Sequence, residues 1–194
     1  LGVEEDEVIT KDLGVKDYKK YIDNKISSLI TPSEAWQTAK GGDDEIFCAV
    51  YGAYMYFKDQ NKMYDYSDMI LGGAKLMIES PRLLQQMQNT YKHIFVDEAQ
   101  DLNPLQHVFF GLIAGHINPE TLKPYEDNRM TADTYCFIGD DKQAIYEFRG
   151  AQPEMFINMS DTYHEEGQFK TTLLRTNFRS GRNIVSSANK LIAH

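Results

Sequence analysis

Apolar residues recur at three- and four-residue steps through the N-terminal part of the chain, a spacing that puts them on one face of a helix. Three such stretches run over Tyr18 to Ile30, Ile46 to Phe57 and about Tyr66 to Ile78. Thr31-Pro32-Ser33-Glu34 has the pattern of a capping box with proline at the first helical position, and Ser80-Pro81 is typical of another helix start. This part therefore predicts packed helices, with the aromatic face of the second stretch in the core.

From residue 91 onward the pattern changes to strands and helices in alternation. Short apolar runs predict three strands, at 93–96, 135–138 and 171–174. Helical spacing follows Asn103-Pro104 and returns from Arg182 to Ile192, whereas residues 116–134 are polar and predict a loop. Apolar strands separated by helices are typical of a parallel sheet covered on both faces, with ligands at its carboxyl edge. We predict an α/β fold in which all three strand ends share that edge.

The first two predicted strands both end in acidic pairs. Asp97 and Glu98 follow one strand, and Asp140 and Asp141 follow the next. A carboxylate at such an edge can hold Mg²⁺ through water while its neighbour orients a nucleophile. A solvated acidic turn fits the bare pair equally well, because short motifs match by chance. The two pairs together predict one shared crevice.

Composition and charge narrow the class of protein. The net charge of -9 argues against coating nucleic acid by bulk attraction, although a local basic stripe stays open. Cys48 and Cys136 are the two cysteines and lie far apart, so a disulfide framework or thiolate metal site is not expected. No segment has the order of a secretory signal or the length of a membrane span. We expect a soluble protein in the reducing cytoplasm, with no membrane partner.

Three segments in this order resemble the UvrD/Rep/PcrA-type superfamily-one DNA helicases. They are Phe95 to Asp101, Gly139 to Ala151 and Leu174 to Ser180, and residues 63–70 resemble the aspartate-aromatic segment that precedes the magnesium motif. The resemblance implies a helical insertion subdomain over residues 1–79 and part of the first RecA-like ATPase domain over residues 80–194. It also implies an enzyme that couples ATP hydrolysis to movement on single-stranded DNA and to unwinding at duplex junctions.

The resemblance assigns five residues to the nucleotide. It implies that Asp97 holds Mg²⁺ on the phosphates of ATP, that Glu98 polarises the attacking water, and that Gln143 senses the γ-phosphate. Arg179 matches the arginine that reaches the γ-phosphate, and Phe178 takes the place of a tyrosine that stacks on adenine. From the residues alone, Gln143 could be an exposed loop residue and Arg179 could pair with a strand-end acid.

A second set of residues is implied to contact DNA. Tyr146 and Phe148 match aromatic positions that stack on bases, a contact worth about 1–3 kcal/mol per base. Phe148 replaces the usual tryptophan, which should weaken stacking without abolishing it. Core packing is the other interpretation, but the alternate spacing favours two rings on one exposed side. Arg149 is expected to contact the DNA backbone or a carboxylate inside the domain.

Four polar positions beside these motifs have expected supporting roles. Gln100 and Asp101 lie where the family couples its magnesium site to neighbouring segments, and Asp101 could equally cap the following helix. Asp140 and Asp141 are expected to link the state of the nucleotide to the DNA-contacting segment.

The phosphate-binding loop Gly-x-x-x-x-Gly-Lys-Ser/Thr is not found in the sequence, and the nearest run, Gly72-Gly73-Ala74-Lys75, has the wrong spacing. We therefore expect an internal fragment that is inactive alone and needs the remaining helicase segments, including a second motor domain. One alternative is a non-catalytic DNA- or protein-binding module derived from a helicase. Another is a metal-dependent nuclease, which is disfavoured because no lysine or histidine completes such a site.

Overall fold

The computed structural model describes residues 14–127, 129–144, 151–159 and 169–192. In these ranges the protein is rich in helices and has a small parallel sheet. The helices are α1 (Val15–Ser27), α2 (Pro32–Gln37), α3 (Asp43–Asn61), α4 (Tyr66–Glu79), α5 (Pro81–Thr90), α6 (Pro104–Ala114), α7 (Pro153–Ile157) and α8 (Arg182–Ile192). The strands are β1 (His93–Val96) and β2 (Thr134–Phe137), and short 3₁₀ turns span Ala99–Asp101 and Asp141–Gln143.

Side-chain caps fix where the early helices begin. The Thr31 hydroxyl accepts a hydrogen bond from the Glu34 amide at 3.3 Å, and the Glu34 carboxylate accepts one from the Thr31 amide at 2.7 Å. At the start of α5 the Ser80 hydroxyl accepts from the Leu83 amide at 3.3 Å. These contacts satisfy amides that have no partner inside a helix. The predicted starts of α2 and α5 are confirmed.

The main hydrophobic core lies between helices α1, α3, α4 and α6. Its buried members are Ile22, Ile26, Ala35, Cys48, Tyr51, Ala74, Met77, Leu105, Val108, Leu112, Ile113 and Ile117. Tyr51 also donates a hydrogen bond from its hydroxyl to the Ile30 carbonyl at 2.9 Å, which links α3 to the connection between α1 and α2. The expectation that the aromatic face of α3 lies wholly in the core is wrong. Phe57 is 56% exposed, because the buried face of this helix runs through Cys48, Tyr51 and Lys58.

A buried cation joins α3 to α4. The Lys58 ammonium lies 2.8 Å from an oxygen of Asp65 and 2.6 Å from an oxygen of Asp68. The same two acids form the capping box at the start of α4, and the Tyr54 hydroxyl donates to Asp65 at 2.9 Å. Burial opposes the charge on Lys58, but these hydrogen bonds outweigh it and raise the pKa of the amine. The 63–70 segment thus has a structural role in this helical junction.

Strands β1 and β2 are parallel neighbours, and α6 lies in the connection between them. His93 pairs with Thr134 and Val96 with Phe137, so both strands end at the same edge of the sheet, as predicted. Behind this edge, Val96, Ala99 and Leu102 form a second buried cluster. The prediction that both faces of the sheet are covered is wrong for β1, because Phe95 on its other face is 64% exposed while Val96 is buried.

The predicted loop over residues 116–134 is confirmed for the described residues up to 133, whereas Thr134 already belongs to β2. The end of this loop holds the start of β2 in place. The amides of Asp133 and Thr134 both donate to the Lys92 carbonyl, at 2.7 and 3.1 Å, and the Thr131 amide donates to the Ala114 carbonyl at 2.9 Å. These contacts set the position of β2 against β1, and therefore the position of the residues that follow it.

The third predicted strand, at 171–174, is wrong. These residues have no regular secondary structure, and Leu173 and Leu174 are exposed. A strand needs a neighbour for its amides and carbonyls, and within the described ranges the sheet has the two strands β1 and β2. Helix α8 does form where the spacing predicted it, and its residues are almost all exposed.

Candidate functional site

Asp97 and Glu98 follow β1 directly, and both are exposed at the carboxyl edge of the sheet. The Glu98 amide donates to a carboxylate oxygen of Asp97 at 2.9 Å. Glu98 has φ 49° and ψ 45°, the left-handed region that residues other than glycine adopt uncommonly. This conformation turns the chain from β1 into the 3₁₀ turn at Ala99–Asp101. As a result, the carboxylates of Asp97 and Glu98 lie side by side and exposed at the carboxyl edge of the sheet.

Gln100 lies beneath these acids and is buried, with 1% of its surface exposed. Its side-chain nitrogen donates to a carboxylate oxygen of Glu98 at 2.8 Å, and its side-chain oxygen accepts from the Asp140 amide at 3.0 Å. A backbone N–H can only donate, so the amide oxygen of Gln100 must face Asp140 and the NH₂ group must face Glu98. Gln100 thus connects the ends of β1 and β2, whereas the coupling of a magnesium site through Gln100 stays a prediction.

Asp140 follows β2 and organises the second strand end. One of its carboxylate oxygens accepts from the Lys142 amide at 3.0 Å, and the other accepts from the Gln143 side-chain amide at 2.9 Å. Glu98, Gln100, Asp140 and Gln143 therefore form a continuous series of contacts across the edge, which we call the hydrogen-bond chain. The backbone supports it, because the Ile138 amide donates to the Val96 carbonyl at 2.8 Å. The two acidic strand ends, for which one shared crevice is predicted, are thus joined by hydrogen bonds.

Gly139 makes room for the buried amide, a role that the sequence pattern did not reveal. A Cβ at this position would lie 2.5 Å from the side-chain oxygen of Gln100, 3.1 Å from the Phe156 ring and 3.3 Å from the Ala99 nitrogen. The signal in the sequence was a glycine between an apolar strand and two acids. Its meaning depends on Gln100, which is 39 positions away in the chain.

Asp101 does not cap the helix that follows it. The N-cap of α6 is Asn103, whose side-chain oxygen accepts from the Gln106 amide at 3.0 Å. One carboxylate oxygen of Asp101 is buried and has no hydrogen-bond partner in the described part of the chain. The capping interpretation of Asp101 is therefore wrong.

Arg179 and Phe178 lie on an exposed segment. The Asn177 side-chain oxygen accepts from the amides of Arg179 and Ser180, both at 2.9 Å, and forms a local turn. The Phe178 ring is 94% exposed. Among the described residues, no hydrogen bond or ion pair connects either side chain to Asp97 or Glu98. The structure brings Asp97, Glu98 and Gln143 to one edge, but it does not join Arg179 and Phe178 to them.

Tyr146, Phe148 and Arg149 lie outside the described residues, as does the rest of 145–150. The chain on both sides of this segment is attached to the candidate site. Before it, Gln143 contacts Asp140; after it, the Gln152 amide donates to the Leu102 carbonyl at 3.1 Å. Helix α7 then packs its Phe156 side chain into the buried cluster behind β1.

Two further properties bear on the class of protein. Within 14–127, 129–144, 151–159 and 169–192, no three His, Cys, Asp or Glu side chains are grouped to hold a metal ion. Over the same ranges, no helix has the length and apolar character required to cross a membrane.

Several known proteins have sequences that align with most of this chain. The sequence is 30% identical to the ATP-dependent DNA helicase PcrA of Staphylococcus epidermidis over 89% of this chain and 21% of the relative. It is 34% identical to the Bacillus subtilis protein YjcD over 77% of this chain and 18% of that protein, and 29% identical to PcrA of Staphylococcus aureus over 88% and 21%. The chain thus spans about a fifth of the length of these curated relatives.

A family match covers the candidate site itself. The sequence model of the UvrD/REP helicase N-terminal domain matches residues 3–164, which include both acidic strand ends and the hydrogen-bond chain between them. Since this match takes in most of the 194 residues, the chain belongs to the UvrD/REP helicase family.

Proposed function

We propose that this chain supplies part of the ATP-hydrolysis site of a DNA helicase or translocase. In this proposal, residues 1–79 form a helical insertion subdomain and residues 80–194 form part of the first RecA-like motor domain. The observation that carries the proposal is the hydrogen-bond chain, because it joins the acids after β1 to the glutamine after β2. The PcrA relatives, which are named as ATP-dependent DNA helicases, support the same assignment.

Asp97 is the proposed residue for Mg²⁺. One of its oxygens accepts from the Glu98 amide, and its exposed carboxylate keeps a second oxygen for a ligand. A single carboxylate fits Mg²⁺, which usually retains several waters and takes further oxygens from the phosphates of its nucleotide. When bound there, the ion would neutralise negative charge on the phosphates. A nuclease that needs carboxylates from several elements gains no support from this arrangement.

Glu98 is the proposed base that orients the attacking water. The Gln100 amide occupies one oxygen of the Glu98 carboxylate. The second oxygen, in an exposed side chain, is in a position to accept a hydrogen bond from water. A carboxylate that is held at one oxygen loses less freedom when it aligns a nucleophile at the other.

Gln143 is the proposed sensor of the γ-phosphate. Its side-chain nitrogen donates one hydrogen to Asp140 in this structure, and the second hydrogen on the same nitrogen is left for a phosphate oxygen. The contact with Asp140 would therefore hold the amide while it donates to phosphate. A neutral amide suits this role because it donates to either acceptor without adding charge.

Arg179, Phe178 and the DNA-contacting residues complete the proposal. The exposed segment that carries Arg179 and Phe178 has to dock against the nucleotide before they can contact the γ-phosphate and adenine. Tyr146, Phe148 and Arg149 are the proposed contacts to single-stranded DNA. Because both flanks of their segment are attached to the site, displacement of the segment by DNA would be transmitted to Asp140 and Leu102.

The test is ATP hydrolysis by the full-length gene product that contains this sequence, with and without single-stranded DNA. Glu98→Gln should lower DNA-stimulated turnover by at least about 100-fold, the usual contribution of a positioned general base, and should leave ATP binding intact. Glu126→Gln is the matched control, since Glu126 is exposed in the loop over residues 116–134. Turnover that survives Glu98→Gln would overturn the proposal. DNA binding without ATP dependence would favour the non-catalytic binding module instead.

A further inference from the structure

The first two turns of α1 carry a row of exposed lysines. Lys16, Lys19 and Lys20 are all exposed, and their spacing of three and four positions puts them on one face of the helix. We call these three residues the basic stripe. Within the described ranges no ion pair joins them to an acid, and the nearby Asp17 carboxylate accepts a hydrogen bond from the Gly14 amide at 3.0 Å. The basic stripe is therefore a local positive patch on a chain whose net charge is -9.

The charges of the basic stripe do not stabilise the helix that carries them. Lysines three and four positions apart repel each other, and the amino end of a helix favours negative charge over positive charge. A single exposed lysine needs no partner to explain it, but three in five positions at this end of α1 lower its stability. A negatively charged partner explains this arrangement better than the stability of α1 does.

The basic stripe faces away from the acidic start of α3. On the other side of α1, the rings of Tyr18 and Tyr21 lie 5.1 and 4.9 Å from the ring of Phe47. The first turn of α3, which holds Phe47, also contains the three acids at positions 43–45. Residues two positions apart in a helix do not face the same way, so the lysines at 16, 19 and 20 point to a different side from these rings.

We propose that the basic stripe binds the phosphate backbone of duplex DNA. Lys16 and Lys20 are about 6 Å apart along the axis of α1, a length over which duplex DNA presents about three phosphates. The inference goes beyond the proposed function, because it depends on the charge of α1 and not on the acidic strand ends.

The absence of free rings beside the basic stripe favours duplex DNA over a single strand. Surfaces that bind single strands combine positive charge with aromatic rings on which unpaired bases stack. The rings of Tyr18 and Tyr21 pack against Phe47, and the Lys25 ammonium lies 5.1 Å from the centre of the Tyr21 ring. Charge without available rings fits a backbone whose bases are already paired.

Helix α1 is held firmly enough to fix the position of bound DNA. Ile22 and Ile26 are buried in the main core, and the Asn103 side-chain nitrogen donates to the Ser27 hydroxyl at 3.3 Å. Asn103 is also the N-cap of α6, the helix that follows the acidic end of β1. A duplex on the basic stripe would therefore be held at a set distance from the candidate site.

The test measures binding of a short fluorescent duplex to the 194-residue chain by anisotropy, between about 50 and 200 mM salt. The stripe variant carries Lys16→Gln, Lys19→Gln and Lys20→Gln. It should bind roughly 10-fold more weakly at the lowest salt, and the slope of log K against log salt should fall by about 3, or about 1 for each lysine. The loss should be the same for duplexes of different sequence, because phosphates carry no sequence information.

Two variants serve as controls. Lys40→Gln, Lys75→Gln and Lys123→Gln together make the same change in net charge at three other exposed positions, and this variant should keep the wild-type slope. Arginine at all three stripe positions should keep the wild-type affinity. Glu98→Gln should also bind duplex like wild type, so this inference and the proposed function fail separately.

Several outcomes would overturn the inference. Equal losses in the stripe variant and in the charge-matched control would mean that only net charge matters. A loss confined to single-stranded DNA would identify another kind of contact, and a loss confined to a labelled glutamate peptide would identify an acidic protein partner. No binding of duplex by wild type at the lowest salt would exclude the contact. The stripe variant should unfold at the wild-type Tm or above it, since repulsion is removed, and a clear fall in Tm would show that the lysines stabilise α1 instead.

Discussion

Gly139 lies against the side chain of Gln100 so closely that a Cβ on Gly139 would come within 2.5 Å of the amide oxygen. Gly139→Ala should therefore displace Gln100 or the Phe156 ring and lower the free energy of unfolding by about 1–3 kcal/mol, the usual cost of overpacking. Urea unfolding of the 194-residue chain measures this change.

Gly72→Ala is the control for the Gly139 variant. Gly72 lies inside α4, and a Cβ there would have no neighbour within 4 Å. Alanine in a helix interior is favoured over glycine by about 0.5–1 kcal/mol, so this variant should be slightly more stable than wild type. Equal stability of the two variants would show that Gln100 can move away from a Cβ at position 139 without lowering the free energy of unfolding.

Lys58→Met should destabilise the packing of α3 against α4. The change removes the cation between Asp65 and Asp68, and one member of a buried pair left alone typically costs about 3–5 kcal/mol. We expect a value toward the lower end, because Asp65 is partly exposed and water can still reach it. Circular dichroism during urea unfolding provides the measurement.

Asp59→Asn is the comparison for Lys58→Met. Its partner Lys62 is 3.7 Å away, and both side chains are largely exposed, so loss of this pair should change stability by less than about 1 kcal/mol. A similar effect of the two substitutions would mean that the buried cation contributes no more than a surface ion pair.

The positions of most helices could be predicted because their signals are local. The capping boxes at Thr31 and Asn103 and the glycine at position 115 mark helix ends within a few residues of sequence. Strands β1 and β2 could be predicted for the same reason, since each is a short apolar run that ends in acids. Their shared edge followed from the rule that strands joined through a helix are usually parallel.

The wrong predictions concern which residues contact each other in the folded chain. Such contacts are not encoded in the residues next to a position in the sequence. Residues 171–174 have the composition of a strand but no neighbouring strand among the described residues. Phe57 has helical spacing but faces away from the core. The role of Gln100 depends on Asp140 and Gly139, which reach it only through the parallel pairing of β1 with β2. Asp97, Glu98 and Gln143 could be selected from sequence motifs. The hydrogen bonds that connect the two strand ends carrying them could not be predicted in this way.

Shortening a side chain should lower the free energy of unfolding by different amounts on the two faces of β1. Val96→Ala removes buried methyl groups and should cost about 2 kcal/mol, whereas Phe95→Ala shortens an exposed side chain and should cost less than about 1 kcal/mol. Urea unfolding of the 194-residue chain tests this order, and the reverse order would contradict the exposure of Phe95. If Phe95→Ala costs more in the full-length gene product than in this chain, another segment covers that face there.

Stability should fall between pH 6.5 and pH 4 because of His107. Burial lowers the pKa of this imidazole to about 4, and its Nε2 atom has no hydrogen-bond partner in the described part of the chain. The unfolded chain therefore binds a proton first as the pH falls, so the stabilising contribution is complete above pH 6.5 and is lost toward pH 4. The difference in pKa corresponds to on the order of 3 kcal/mol.

His107→Phe keeps a ring against Phe137 but cannot titrate, so its unfolding free energy should change less between pH 7.5 and pH 5. Part of the slope should remain in this variant, because burial also lowers the pKa of His116. Parallel pH profiles for wild type and His107→Phe, measured by urea unfolding, would contradict this prediction, because they would show that His107 takes up its proton at the same pH in the folded and the unfolded chain.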